Sequence, residues 1–449
     1  MTTAKVMLWN RCVGAVTWSP TTSLASFQYD KDFQTSHIQI APLTMPLNND
    51  TYAFPHLPVE SFFGLPGLLM DTLPDKFGNK LIDTWLAKMG REANSFNPVE
   101  RLCYIGNRGM GALEFKPHLS SEENHSSKID LEALTSLASD ILTERKNLSG
   151  SLDEKKREQT LTQILKIGTS AGGARAKAII NWNPTTHEVK SGQTQASQDF
   201  EPWLLKFDGV MGNGDKELED AMGFGRIEYA YSLMAKSAGI QMMECRLLTE
   251  NNRCHFMTKR FDRIKKEYNN SFIFIKQHAL SLSAIAHYDF NQAGAYSYEQ
   301  ASRIMRKLNM PMATIEEQFK RMAFNIVARN HDDHVKNISF LMNQKGEWSL
   351  SPAYDITYSY NPTGAWTQQH QMTLNGKQKN FMKEDFVQFE KDFSMKKGKA
   401  FEILSNVIDA IKQWPDFAKQ AGIPDAIAHK IGRTHHATLL NNNHNPNHF

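Results

Sequence analysis

The stretch Asn-His-Asp-Asp-His-Val-Lys-Asn, residues 330–337, is the densest polar cluster of the chain and decides its fold class. It lies between two apolar runs, residues 324–328 and 338–341. A surface loop can carry such a cluster at no cost, whereas a catalytic loop requires one. The surrounding sequence must therefore distinguish a solvated loop from a catalytic loop.

The residues on both sides place this stretch after a helix and before a hairpin. Thr314 followed by Glu317 predicts a capping box, and apolar residues at helical spacing then predict a helix over about 314–329. A strand–turn–strand pattern over residues 338–350 predicts a hairpin. Asp355 follows this hairpin and adds a carboxylate at the exit of a strand.

The order helix, Asp-x4-Asn, hairpin, Asp is the order of catalytic parts in a kinase. Asp332 is the candidate catalytic base, and Asn337 and Asp355 are the candidate Mg²⁺ ligands. His334 or Lys336 is a candidate for contacting the transferred phosphoryl group. The Asp-x4-Asn spacing alone is more often a solvated loop, but the hairpin and the second Asp favour the kinase interpretation.

Upstream segments supply the parts that would bind a nucleotide. Lys206 ends an apolar strand and is the candidate for contacting the α- and β-phosphates. Glu228, on a helix predicted over 217–238, is suitably separated to pair with that lysine. A glycine-rich stretch over 168–177 comes before both, and glycines let backbone N–H groups approach phosphate closely. It lacks the Walker A pattern, and its candidate nucleotide-binding residues are Gly172, Gly173 and Lys177.

Residues 259–263 leave a strand where a kinase hinge contacts adenine. Backbone groups there are candidates for binding the base, beside Lys259 and with Phe261 as an apolar wall. Each of these upstream signals is weak by itself, because a strand lysine or a glycine-rich turn is common. Their shared order along the chain is what indicates phosphoryl transfer from ATP.

Composition sets the broad class of the protein. The chain has 449 residues, 41% hydrophobic and 22% charged, which is ordinary for a globular protein of two or three domains. The net charge of +3 is too small to imply nucleic-acid binding by itself. None of the four cysteines forms a CxxC pair, which argues against a zinc site or a disulfide framework. With no signal-peptide pattern and no long apolar run, a cytoplasmic location without membrane contact is expected.

The pattern along the chain predicts several units. Residues 4–43 predict strands, with a hairpin turn at Asn10-Arg11, and a helix is predicted from about Asp71 to Met89. Residues 183–201 are polar and turn-rich. We predict an N-terminal subdomain over 1–120, the rest of an N-terminal lobe over 121–265, a helical C-terminal lobe over 266–440 and a polar tail over 441–449.

Four stretches carry a resemblance to a known family. They are residues 330–337 (N-x-D-x-H-x-K-N), 350–356 (L-x-P-x-Y-D-I), 260–263 (R-F-D-R) and 170–177, which is similar to S-x-x-G-x-Q-x-K. Together they resemble the HipA family of bacterial serine/threonine kinases, the toxins of HipBA-type toxin–antitoxin modules. Short stretches before residue 120 are similar too, so the resemblance spans roughly residues 4–430.

This resemblance implies an α/β (α+β) fold of two lobes, protein-kinase-like, with ATP and Mg²⁺ as cofactors. It implies a protein serine or threonine as substrate, such as one in an aminoacyl-tRNA synthetase or another translation component. It implies a HipB-like antitoxin as partner, with DNA contacted only through the antitoxin. It also implies autophosphorylation of Ser170, whose added negative charge would eject the loop and silence the kinase.

Two departures from the family pattern and two alternatives remain. Arg175 replaces the usual loop glutamine, and Lys259 replaces an acidic hinge residue. One alternative is an HD-type metal-dependent phosphohydrolase that uses the dyad His331-Asp332 with His287. The other is a catalytically silent scaffold that binds an antitoxin or operator DNA.

Overall fold

A computed structural model describes residues 1–74, 76–119, 129–142, 160, 164, 175–192, 196–210, 223–268 and 271–440. Within these ranges the predicted mixture of helices and antiparallel sheets is confirmed. No helix in them is long and apolar enough to cross a membrane.

The first sheet is formed by the N-terminal residues. Its strands are β1 (Thr2–Leu8), β2 (Arg11–Ser19), β3 (Leu24–Tyr29), β4 (Thr51–Tyr52) and β5 (Leu113–Lys116), in the order β4-β3-β2-β1-β5. The turn between β1 and β2 is Trp9-Asn10, one residue earlier than predicted. Both turn residues have positive φ, 47° and 65°, as a two-residue hairpin of primed type requires.

Helices occur between the later strands of this sheet along the chain. They are α1 (Lys31–Gln34), α2 (Val59–Phe62), α3 (Gly67–Met70), α4 (Lys76–Lys88) and α5 (Pro98–Ile105). The helix predicted from Asp71 begins five residues later, because residues 71–73 instead close the turn that follows α3. Asn97 and Glu100 form a capping box at the start of α5.

The second sheet carries the candidate nucleotide-binding strands. Its strands are β6 (Lys177–Trp182), β7 (Val189–Ser191), β8 (Glu201–Lys206), β9 (Cys245–Glu250) and β10 (Arg253–Lys259), in the order β7-β6-β8-β10-β9. The helices α6 (Leu131–Leu142) and α7 (Phe224–Ser237) pack around it. Strand β7 was not predicted, because its three residues lie in a polar, turn-rich segment.

The remaining strands form small sheets. They are the ribbon β11 (Arg263–Tyr268) with β12 (Ser271–Lys276), the sheet β13 (His278–Ser281), β15 (Ser339–Met342) and β16 (Trp348–Leu350), and the parallel pair β14 (Tyr296–Ser297) and β17 (Met372–Thr373). The predicted hairpin after the polar loop is β15–β16. The sequence analysis did not predict the ribbon β11–β12.

Helices are the main regular elements of the C-terminal part. They are α8 (Leu282–Ala286), α9 (Tyr298–Lys307), α10 (Met312–Val327), α11 (Lys383–Asp392), α12 (Lys399–Lys412), α13 (Trp414–Gln420) and α14 (Asp425–Gly432). The capping box predicted from Thr314 and Glu317 is wrong, since α10 begins directly after Pro311. Glu317 instead accepts hydrogen bonds from the Gln241 backbone and Arg321. Buried residues of α10 and of the first sheet belong to one apolar core.

Candidate active site

The polar loop 330–337 begins where α10 ends. Arg329 leaves the helix with a φ of 60°, a left-handed conformation that is uncommon for a residue with a side chain. Asn330 then donates its backbone N–H to Asn325 O and its side-chain Nδ2 to Asn325 Oδ1, both at 2.9 Å. These bonds turn the chain sharply and fix where the loop starts.

Asp332 and Asn337 are brought together by this loop. The Asn337 Nδ2 atom donates to the Asp332 carbonyl at 2.7 Å, and the Asp332 N–H donates to Ser359 Oγ at 2.9 Å. His334 Nε2 lies 3.5 Å from Asp332 Oδ1, while its Nδ1 accepts the Lys336 N–H. The backbone of Asp332 is thus held on two sides, with an imidazole beside its carboxylate.

Lys336 contacts two aromatic residues, Phe290 and Tyr354. Its ammonium nitrogen lies 4.6 Å from the centre of the Phe290 ring, a cation–π contact. Its carbonyl accepts a hydrogen bond from the Tyr354 hydroxyl at 2.5 Å, and that hydroxyl also bonds Ser339 Oγ at 2.5 Å. Tyr354, the residue directly before Asp355, is therefore bonded to the polar loop.

Asp333 points away from Asp332 and into the protein. It is 3% exposed and accepts hydrogen bonds from the Tyr298 hydroxyl at 2.5 Å and the Gln371 N–H at 2.7 Å. His370 Nδ1 lies 2.8 Å from the same carboxylate. We call these four residues the Asp333 network. They join the loop to α9 and to the segment before β17.

Three charged side chains meet beside the loop, and we call them the Asp355 cluster. The Lys206 ammonium lies 2.5 Å from Glu228 Oε1 and 2.5 Å from Asp355 Oδ1. Strand β8 supplies the lysine and α7 supplies Glu228, so the predicted ion pair is present. Asp355 itself has a φ of 53°, which turns its carboxylate out of the chain direction.

Charge balance governs protonation in the Asp355 cluster. Burial alone would lower the pKa of Lys206, but the charges of Asp355 and Glu228 outweigh burial and raise that pKa. Burial alone would likewise raise the pKa of Asp355, but the charges of Lys206 and Lys177 hold it well below its usual range. Lys206 and Asp355 therefore both carry charge at neutral pH.

Two further cations border this cluster. Lys177, at the start of β6, is 2% exposed and pairs directly opposite Lys206 in the sheet. Arg175 Nη1 lies 3.9 Å from Glu228 Oε2, and its guanidinium carbon lies 4.5 Å from the centre of the Phe224 ring. Ser170, Gly172 and Gly173, which were also predicted to bind or modify here, lie outside the described residues.

The predicted hinge runs from Lys259 to Arg263. Lys259 Nζ binds Glu201 Oε1 at 2.7 Å, and the Phe261 ring lies 5.5 Å from the Tyr354 ring. Arg260 and Asp262 form a buried ion pair at 2.7 Å. Burial alone would raise the pKa of Asp262, but the charges of Arg260 and Arg263 lower it below its usual range. The Asp262 carboxylate thus accepts hydrogen bonds from Arg260, Arg263 and the Gly111 N–H, and Phe261 lies beside Tyr354.

The imidazoles needed by the phosphohydrolase alternative are turned to other partners. His331 is 1% exposed, its Nδ1 donates to the Thr367 carbonyl at 2.9 Å, and its ring packs on His370. His287 Nε2 accepts the Gly67 N–H at 3.1 Å. The geometry therefore gives this alternative no support.

Some residues at the site were missed by the sequence analysis. They are Ser359, Tyr354, Tyr298 and His370, whose contacts to the loop are described above. Tyr354 adjoins Asp355 and could have been noticed for that reason. The other three are far from the loop in sequence, and no local pattern connects them to it.

The comparisons with known proteins agree with the sequence motifs. The family model described as the HipA-like C-terminal domain matches residues 169–414, and that of the HipA N-terminal domain matches residues 4–116. A search of curated proteins finds no match.

Solved structures give a fold comparison over nearly the whole chain. HipA of Shewanella oneidensis MR-1, from a toxin–antitoxin complex with HipB and operator DNA, has a TM-score of 0.66 at 17% identity. That match covers 97% of this chain and 95% of the other. The Helicobacter pylori proinflammatory kinase CtkA has a TM-score of 0.32 at 11% identity, covering 53% and 88% of the two chains. The first match confirms the predicted two-lobed, kinase-like fold.

Proposed function

This chain belongs to the HipA family, and on that premise we propose that it is an ATP-dependent protein serine/threonine kinase. One observation carries the proposal: Lys206 bridges Glu228 and Asp355 beside the loop that holds Asp332. A strand lysine paired with a helical glutamate and a second Asp after a hairpin are the parts that phosphoryl transfer requires.

Asp332 is proposed as the catalytic base. Its carboxylate takes the proton of the substrate hydroxyl as that oxygen bonds to the γ-phosphorus of ATP, and the bond to the β-phosphate oxygen breaks to release ADP. The bonds from Ser359 and Asn337 hold the Asp332 backbone for this role. His334, 3.5 Å from the carboxylate, and Lys336 are proposed to contact the transferred group.

Asn337 and Asp355 are proposed to hold Mg²⁺, and the residues fit that ion. Carboxylate and amide oxygens are the ligands that Mg²⁺ prefers. Asn337 Nδ2 donates to the Asp332 carbonyl, so Oδ1 is the side-chain atom of Asn337 that can bind the metal ion. When bound, Mg²⁺ neutralises the charge of the nucleotide phosphates.

Lys206 is proposed to contact the phosphates, with Glu228 orienting its ammonium. Incoming phosphate oxygens would replace Asp355 as a partner of that ammonium, since both are anionic acceptors. Lys177 lines the same side, and Phe261 and the backbone near Lys259 are proposed to receive adenine. Gly172 and Gly173 are proposed to cradle the phosphates, and Ser170 to be autophosphorylated.

We further propose a HipB-like antitoxin as the partner, with DNA contacted only through it. The support is the fold shared with a HipA that was solved together with HipB and operator DNA. The proposed substrate is a protein serine or threonine, for example in an aminoacyl-tRNA synthetase or another translation component. The proposed location is the cytoplasm.

The test is phosphate incorporation by the purified protein, incubated with Mg²⁺ and ATP and followed by mass spectrometry. The variant is Asp332→Asn, which keeps the backbone bonds of the loop. The matched control is Asp409→Asn, the same change at an exposed residue whose partner is Lys412. We expect phosphate on Ser170 in parent and control, and incorporation roughly 10²–10⁴-fold slower in Asp332→Asn.

Other outcomes would contradict specific parts of the proposal. Phosphate incorporation at the parental rate in Asp332→Asn would contradict the assignment of Asp332 as the catalytic base. Phosphate only on other residues would keep the kinase and remove Ser170 as its target. No incorporation in the parent, together with no ATP binding by calorimetry, would favour the catalytically silent scaffold.

A further inference from the structure

The C-terminal segment Thr434–His436 contacts the start of the catalytic loop, and we call it the C-terminal strap. The Arg329 Nε atom donates to the Thr434 carbonyl at 2.8 Å, and the His436 N–H donates to the Val327 carbonyl at 2.8 Å. The strap lies beyond the region matched by the family model, which ends at residue 414. Its contacts are therefore a feature of this chain outside the matched domain.

The strap also reaches the helix that carries Glu228. The hydroxyl of Tyr231, a fully buried residue of α7, donates to the Ala328 carbonyl at 2.7 Å. His435 Nε2 lies 3.0 Å from the same hydroxyl oxygen. Because the hydroxyl proton is already donated to Ala328, the hydrogen of this second bond must come from His435 Nε2. This fixes the His435 tautomer.

This junction lies between two residues of the proposed machinery. Tyr231 follows Glu228 by one helical turn, so the two side chains are neighbours on α7. Ala328 is four residues before Asp332, and between them Arg329 has the left-handed φ of 60°. A non-glycine residue keeps such a conformation only when its surroundings enforce it. The strap contributes to that enforcement through Thr434 and His436.

We propose that the C-terminal strap and Tyr231 position the catalytic groups. They would do so by holding the helix of Glu228 and the loop of Asp332 in a fixed relative position. The inference rests on the proposed kinase function, because positioning is measured on phosphate transfer. Tyr231 is a positioning residue and touches no substrate. Loss of its hydroxyl should slow transfer without weakening nucleotide binding, since the binding groups stay in place.

The test compares Tyr231→Phe with Tyr29→Phe. Both remove a buried hydroxyl that donates to a backbone carbonyl, and Tyr29 donates to Met45 in the first sheet at 2.8 Å. We expect the two variants to lose similar stability in urea. We expect transfer to slow about tenfold or more only in Tyr231→Phe, with Mg²⁺·ATP affinity changed less than about twofold in both.

Two results would contradict the proposed role of the strap. One is equal transfer rates in the two variants, and the other is a loss of ATP affinity that matches the loss of rate. Hydrogen exchange at residues 326–331 gives a readout independent of catalysis. Faster exchange in Tyr231→Phe than in Tyr29→Phe supports the strap, and equal exchange contradicts it. A parent protein that transfers no phosphate would end the proposed function, and the exchange data alone would then decide on the strap.

Discussion

The Asp333 network and the Asp355 cluster both surround a carboxylate near the catalytic loop, but they satisfy it differently. Asp333 is 3% exposed, and its partners are a hydroxyl, a backbone N–H and an imidazole. The Asp355 side chain is 29% exposed, and its partner is a charged ammonium that it shares with Glu228. One carboxylate is fixed by donors from several elements, whereas the other is held by the ammonium of a single lysine.

This difference indicates that the Asp333 network supports the fold, whereas the Asp355 cluster takes part in the proposed chemistry. The donors of the Asp333 network belong to the fold and cannot be replaced without leaving buried groups unpaired. The Lys206 ammonium of the Asp355 cluster can donate to any anionic acceptor. Phosphate oxygens can therefore take the place of Asp355 at little cost in free energy. We therefore expect changes in the network to alter stability first, and changes in the cluster to alter activity first.

The largest expected effect on stability is that of Asp333→Asn. Tyr298 and His370 bind one oxygen of Asp333, and the Gln371 N–H donates to the other. An asparagine amide keeps only one acceptor oxygen, so at least one of these buried donors loses its acceptor. We expect the free energy of unfolding to fall by about 3 kcal/mol, measured by urea denaturation. The matched variant is Asp355→Asn, which leaves Lys206 its partner Glu228 and should cost about 1 kcal/mol or less. Equal losses in the two variants would erase the distinction between network and cluster.

The sequence predicted the parts of the site that are local in the chain. The loop 330–337, the hairpin after it and Asp355 are recognisable from residue order, because each role depends on spacing along the backbone. The pairing of Lys206 with Glu228 also followed from order, since a strand and the next helix of such a lobe are adjacent in space.

The parts that join distant segments were not predictable from one sequence. Tyr298 and His370 reach Asp333 from more than 30 residues away in either direction. Adjacent Asp332 and Asp333 look equivalent in the sequence, and only packing decides which one faces the site. Glu317 fitted a capping box by spacing, but its contact with Gln241 shows that tertiary packing used it elsewhere.

The next effect is the pH dependence of stability, and it compares His435 of the C-terminal strap with the Asp355 cluster. Burial, reinforced by the charge of Arg329, lowers the pKa of His435 from 6.5 to about 3. As pH falls below 6.5, the unfolded chain binds a proton that the folded chain refuses, so stability falls. The slope contributed by this group approaches about 1.4 kcal/mol per pH unit.

The measurement for His435 is urea denaturation between pH 6.5 and 4.5. His435→Gln keeps an N–H donor for Tyr231 but does not titrate, so its stability should depend on pH less steeply than that of the parent. Asp355 has a lowered pKa, so its contribution persists down through this window and is lost only at lower pH. Asp355→Asn should therefore leave the slope unchanged, and a changed slope would mean that the cluster titrates here.

The smallest expected effect is that of Arg175→Gln, at the edge of the Asp355 cluster. Arg175 lies 3.9 Å from Glu228, against 2.5 Å for Lys206, so it adds positive charge without holding the glutamate. We expect Mg²⁺·ATP affinity by calorimetry to fall about two- to threefold, or ~0.5 kcal/mol, with stability nearly unchanged. The matched control is Arg91→Gln, since the Arg91 guanidinium lies over Phe96 in the N-terminal subdomain. This variant should bind Mg²⁺·ATP as the parent does. Tighter binding in Arg175→Gln would instead mean that this arginine competes with Lys206 for Glu228. A loss far beyond tenfold would mean that the arginine contacts phosphate directly, and the cluster would then hold its ligand with two cations rather than one.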